Sequence, residues 1–207
     1  MTNERKPESS TAVAARSGAF RRSAIVDAVT PMSEYERIVE KCRRDRINRR
    51  ISNTSIEHAA VLFKHLFIAA ASIPESEPQE MRIQTGDAHP AFYESYVDCA
   101  QRVMGRGVNI RVILTDSKAD IAGNAFLSTV LRHSNGDVRT SGSQEEPGIH
   151  FAVVGSSAYR IEVDLDTFEA FANFNESIIA HRLIGIFDQE WVASARFKQE
   201  EPRLVTI

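Results

Sequence analysis

Two cysteines, one tryptophan and no long apolar run in 207 residues remove several classes of protein at once. Cys42 and Cys99 are too few and too far apart for a zinc pattern or a disulfide framework, and fit reduced thiols in a cytoplasmic protein. No stretch approaches the roughly 18 apolar residues that cross a bilayer, so no membrane partner is expected. The first 20 residues carry Arg5, Lys6 and Arg16 without an apolar core, so a secretory signal is not expected either. The sequence has no glycine-rich phosphate loop, no HExxH zinc motif and no GxSxG nucleophile elbow. The histidines, at 58, 65, 89, 133, 150 and 181, show no zinc-ligand spacing. His58 and His65 lie seven apart on one helix and read as a helical pair. Neither a metal nor a cofactor is implied.

What remains has the balance of a globular protein, 43% hydrophobic and 26% charged, at a length that suits one domain and an arm. The net charge of −3 hides an asymmetry. Residues 1–50 hold 12 Lys and Arg against 7 Asp and Glu, and the rest holds 13 against 21. A basic arm on an acidic body suits nucleic acid, an acidic partner or the body itself.

Residues 1–30 are rich in Ser, Thr, Ala and Arg, without periodicity, and read as a flexible N-terminal arm. Residues 31–74 read as a helical extension. Ser33 with Glu36 and Thr54 with Glu57 form two capping boxes, each opening a helix. The first helix is expected to continue through Lys41, Arg43, Arg44, Arg46, Arg49 and Arg50, six basic residues in ten. Laid along phosphates, these six would give salt-dependent nucleic-acid binding. The plainer alternative is a solvated helix face. The second helix turns Ala59, Phe63, Leu66, Phe67 and Ala70 to one side.

From Met81 the pattern is strand (81–85), helix from Pro90 to about Met104, and strand (108–116), the signature of a parallel βαβ unit. A helix over 122–133 and a polar loop over 140–148 follow. Residues 149–154 and 158–163 then form a β-hairpin about Gly155-Ser156-Ser157. Phe168–Phe174 is ambiguous between strand and helix. A last helix, Ile178–Phe197, points Ile179, Leu183, Ile186 or Phe187, Trp191 and Ala195 inward. Asp87 and Asp116 follow strand ends, where α/β sheets tend to bind ligands, though loop charges would look the same.

Three segments carry a family resemblance. Arg106-Gly107-Val108-Asn109-Ile110-Arg111-Val112-Ile113-Leu114 resembles the RGVxVRVLL segment of phospholipase D-like proteins. Gly148-Ile149-His150-Phe151-Ala152-Val153-Val154-Gly155 resembles their catalytic strand and turn, His-x-Lys-x4-Asp. Asn173-Phe174-Asn175-Glu176 and Phe187 to Ala195 resemble their closing N-x-E and F-x-x-x-W-x-x-A segment. The resemblance covers residues 81–197 in order and spacing. It implies an α/β phospholipase D-like mixed sheet flanked by helices over 81–207, behind the N-terminal helical extension. It also implies pairing into a homodimer or a larger assembly, because the family's active centre needs two copies of the motif.

The chemistry implied by the resemblance is incomplete. His150 stands at the nucleophile position, but the family lysine falls on Ala152 and the aspartate on Ser157. Losing the lysine removes a charge-stabilising group worth several kcal/mol of barrier. Arg160 and Glu162, two apart on the second hairpin strand, share a face and would substitute. His150, Arg160, Glu162, Asn173 and Asn175 are therefore the candidate catalytic set, expected in one pocket at the carboxyl side of the sheet. Otherwise Arg160 and Glu162 form a structural pair beside a buried histidine. The expected function is a catalytically degenerate binding or regulatory subunit, of the kind recruited by bacterial defence or toxin systems. The rivals are an active phosphodiesterase or nuclease using His150, and a structural subunit of a nucleoprotein assembly.

Overall fold

The structure, a computed structural model, describes residues 32–116, 119–121, 123–141, 148–164 and 169–196. The arm expected over 1–30 lies outside them. Short apolar runs alternating with helices build the parallel half of a mixed sheet. Strand β2 (Glu80–Thr85) pairs in parallel with β3 (Asn109–Leu114), and β3 with β4 (Gly136–Thr140). Met81, Ile83, Ile110, Val112 and Leu114 are almost fully buried, as expected for strands covered on both faces. The hairpin supplies an antiparallel half: β5 (Phe151–Val154) pairs with both β2 and β6 (Ala158–Asp164), and β6 with β7 (Glu169–Asn173). Two short strands close the edges, β1 (Ile51–Asn53) on β7 and β8 (Ala195–Arg196) on β4. The order is β1-β7-β6-β5-β2-β3-β4-β8.

Residues from 31–74 therefore join this same sheet through β1. Helix α1 (Glu34–Arg44) starts where Ser33 Oγ accepts the Glu36 N–H at 3.1 Å. It does not run on to Arg50. Arg46 takes the left-handed conformation (φ 48°), and the Ile47 N–H reaches back to the Cys42 carbonyl at 2.9 Å. That closure ends the helix and turns the last four residues of the basic segment into an irregular run toward β1. Helix α2 (Ile56–Ala70) is capped by Ser55, one residue later than expected, whose Oγ accepts the His58 N–H.

The expected helix after Pro90 is broken into α3 (Pro90–Tyr93), a 3-10 turn (Glu94–Tyr96) and α4 (Val97–Met104). A 3-10 turn eclipses residues three apart, so Tyr93 and Tyr96 both meet Phe63, at ring distances of 5.3 and 5.0 Å. Phe67, Phe92 and Phe126 extend this aromatic cluster. Helix α5 (Ala125–Arg132) leads into β4. Helix α6 (Ser177–Ala193) covers the opposite face, burying Ala180, Leu183, Phe187 and Trp191 against Ile113, Phe151, Val153 and Tyr159. Phe187 rather than Ile186 points inward, and Ala195 is exposed in β8. No described helix is long and apolar enough to cross a membrane.

Candidate functional site

Strand register decides what meets His150. Ala152 faces Arg160 across the hairpin, and the Glu162 N–H donates to the His150 carbonyl at 2.9 Å. His150, Ala152, Arg160 and Glu162 thus share the face under α2. Arg160 also lies opposite Ala172 on β7. Two alanines flanking one arginine leave room for a long side chain inside the sheet-helix layer, and Arg160 is 4% exposed. Burial pushes the hydroxyls of Tyr35, Tyr93 and Tyr96 up, and the Arg160 charge partly offsets that rise in each.

The guanidinium ends on a neighbour. Arg160 Nη1 donates to Glu162 Oε1 at 2.8 Å, and Glu162 Oε2 lies 3.2 Å from His150 Nδ1. Burial alone would raise the Glu162 carboxyl. The His150 hydrogen bond and the Arg160 charge outweigh burial and hold it below the ordinary value. Against an ionised carboxylate Nδ1 is the donor, which leaves Nε2 as the ring nitrogen not engaged by Glu162. Nε2 lies toward Gly86, where an added Cβ would stand 3.4 Å away and only 3.2 Å from Cε1, so the glycine makes space for the ring.

His150 and Glu162 open onto a cavity of about 220 Å³ at the carboxyl ends of the parallel strands, walled by Thr85, Phe92 and Tyr93. Asp87 and His89 complete it from the turn after β2. That turn is held firmly. Ala88 is buried with φ 52°, and Asn124 Nδ2 donates to its carbonyl at 2.7 Å while Asn124 Oδ1 caps α5 at the Leu127 N–H. His89 was absent from the expected set. Its signal was a histidine placed at a strand end beside Pro90, the same position that drew attention to Asp87. Among the described residues no cluster of three or more His, Cys, Asp or Glu can hold a metal.

The other sequence candidates lie elsewhere. Asn173 pairs with Tyr159 in the register, on the opposite face from Arg160 and at the opposite end of the sheet from His150. Its Nδ2 donates to Asn48 Oδ1 at 2.8 Å and to Glu176 Oε2 at 3.2 Å, and Asn175 Nδ2 donates to the Arg46 carbonyl at 2.7 Å. These asparagines fasten the loop after α1 to the start of α6. They do not converge on the pocket, because β7 is a strand whose period of two turns residue 173 away.

The basic segment is partly engaged within the chain. Arg43 Nε donates to His65 Nδ1, Arg44 pairs with Asp45, Arg46 reaches Glu77 and Ser157, and Arg50 stacks 3.8 Å over Phe171. Lys41, Arg44, Arg46, Arg49 and Arg50 remain exposed. His58 stacks on Tyr35 and His65 is buried.

No protein-family model and no curated protein matches the sequence. Solved structures do match. NucT from Helicobacter pylori is 10% identical with a TM-score of 0.58, over 73% of this chain and 100% of NucT. Nuc from Salmonella typhimurium, a phospholipase D family member, is 12% identical with a TM-score of 0.52, over 74% of this chain and 100% of Nuc. TrmBL2, an archaeal chromatin protein with a novel mode of DNA binding, is 10% identical with a TM-score of 0.54, over 78% of this chain and 60% of TrmBL2. Mixed-sheet topology, the hairpin bearing His150 and these likenesses agree: the chain has the fold of the phospholipase D-like superfamily.

Proposed function

We propose that this chain is a phospholipase D-like domain that binds nucleic acid without hydrolysing it, as a subunit of a homodimer or a larger assembly. The observation that carries the reading is the fate of the phosphate-neutralising cation. Ala152 occupies the lysine position, and the arginine opposite it is buried and bound to Glu162. A phosphoryl group entering beside His150 would meet two carboxylates and, among the described residues, no lysine or arginine in the cavity wall. Transition-state charge on its oxygens would go without the stabilisation that usually supplies most of the acceleration.

Binding falls instead to the exposed part of the basic segment, Lys41, Arg44, Arg46, Arg49 and Arg50. The DNA binding of TrmBL2, which shares the fold, is in keeping with this. Five phosphate contacts give a log–log salt slope of about −3.5 to −4.5. The test combines fluorescence anisotropy with gel-based cleavage, on single- and double-stranded DNA, for the full chain. The expected result is salt-dependent binding with intact DNA, weakened by Lys41→Glu with Arg49→Glu. DNA binding that ignores this charge reversal would sink the assignment of the interface.

One observation favours a second reading, hydrolysis. Glu162 orients His150 as a carboxylate orients a nucleophilic histidine. Turnover of DNA or of an aryl phosphodiester that vanishes in His150→Ala would establish it and overturn the non-hydrolytic proposal.

A further inference from the structure

We infer that the His150 pocket takes an alkylammonium group rather than a phosphate. The inference rests on the non-hydrolytic reading and names the ligand of that same pocket. Among the described residues its wall carries the carboxylates of Asp87 and Glu162 and no lysine or arginine. Arg160 offsets Glu162 from behind the wall, at 2.8 Å, and is itself 4% exposed. Asp87 has no ion-pair partner among the described residues, so the pocket's own field is negative. Burial chiefly disfavours ionisation of the Tyr93 hydroxyl, and Glu162 and Asp87 act in the same direction while the Thr85 hydrogen bond and Arg160 oppose it.

The remaining wall is aromatic. Phe92 and Tyr93 line the cavity. An alkylammonium group gains from a carboxylate and from a ring face together, whereas a phosphate gains from neither. The volume, about 220 Å³, is ample for a short alkyl chain with its ammonium head. His150 Nε2, the ring nitrogen not engaged by Glu162, accepts an ammonium N–H when the imidazole is neutral. Charge, aromatic wall, acceptor and size therefore point to one chemical class, a protonated primary amine. It arrives either as a free small amine or as the lysine of a bound protein.

The test is a titration of the full chain at constant ionic strength and pH 7.5, read by NMR at the imidazole Cε1–H resonances. His150→Asn and His89→Asn assign the two pocket histidines. The probes are n-butylammonium chloride, acetyl-lysine-amide and inorganic phosphate. The expected result is saturable movement of the His89 and His150 signals with the ammonium probes and none with phosphate. Binding of butylammonium alone assigns a free amine, and equal binding of acetyl-lysine-amide assigns a protein lysine. Asp87→Asn, at an exposed position that leaves the fold intact, weakens binding about fivefold, the equivalent of one surface ion pair. Phe92→Leu weakens it about threefold. Phosphate moving the same signals at lower concentration overturns the inference, as does ammonium binding indifferent to both substitutions. Absence of ammonium binding in a protein that also fails to cleave DNA sinks this inference and leaves the non-hydrolytic reading standing. Cleavage that depends on His150 sinks that reading directly.

Discussion

Glu162→Gln isolates the interaction on which the reading of the pocket depends. Glu162 joins a buried cation to the histidine, with its own side chain 11% exposed and that of Arg160 5% exposed. Removing one partner of a buried ion pair costs about 3–5 kcal/mol, because the other charge stays buried. The amide oxygen still accepts one bond from Arg160, which returns about 1 kcal/mol. The variant should therefore be less stable by roughly 2–4 kcal/mol at pH 7, a large share of the total for a domain of ordinary stability.

The pH dependence of that cost is equally specific. The Glu162 carboxyl is held below its ordinary value of 4.5 by its hydrogen bond to His150 and by Arg160, which together overcome burial. Its contribution is therefore complete above the unfolded pKa and is lost as the pH falls through the folded one. The gap between wild type and variant should stay constant from pH 7 to about 5.5 and shrink on further acidification. Urea unfolding followed by the single tryptophan measures it. Trp191 packs on Phe187 at 5.4 Å and under Arg139 at 4.2 Å, so unfolding changes its emission. A gap below about 0.5 kcal/mol at pH 7, the usual size for a neutral surface change, would mean that Arg160 is not held by this carboxylate. A gap unchanged in acid would mean that the group does not titrate as argued.

Two other perturbations test the frame around the site. Burial first, and then the charge of Arg43, pull the His65 pKa from 6.5 to about 4. The folded state thus resists protonation, and stability falls as the pH drops from 6.5 toward 4, by about 3 kcal/mol in all. His65→Gln should flatten that window in urea unfolding, and an unchanged slope would refute the assignment. Asn124→Ala removes the α5 cap and the bond to the Ala88 carbonyl, at about 2–3 kcal/mol together. It should also accelerate amide exchange at Asp87 and His89 beyond the global change, and uniform exchange would show that the turn does not depend on Asn124.

Much of the fold was legible because local signals and burial agreed. The βαβ pattern from 81 to 116 and the hairpin about Gly155 appear where periodicity places them, since each strand buries both faces or alternates cleanly. Edge strands were not legible. β1 and β8 contribute three and two residues, too few to show a period, and exist because β7 and β4 offer unpaired edges. The aromatic run from Phe92 to Tyr96 read as one helix because its apolar spacing is helical. The 3-10 turn within it arises from packing on Phe63, which no local pattern reports.

The site divides along the same line. His150, Arg160 and Glu162 come together because a hairpin fixes its own register, so a short stretch of sequence carries the whole geometry. Asn173 fails to join them for a reason that one strand assignment would have supplied. With β7 paired so that Ala172 faces Arg160, residue 173 must turn toward α6. The same parity lets two alanines stand in the layer without leaving a hole. Arginine on β6 fills the space between Ala152 and Ala172, and its charge is directed along its own strand to Glu162 rather than outward to the cavity. Moving the cation across the hairpin keeps the layer packed and the histidine oriented, but withdraws positive charge from the wall. The wall left beside His150 has carboxylates and aromatic rings among its described residues, and the proposed ammonium ligand rests on that polarity.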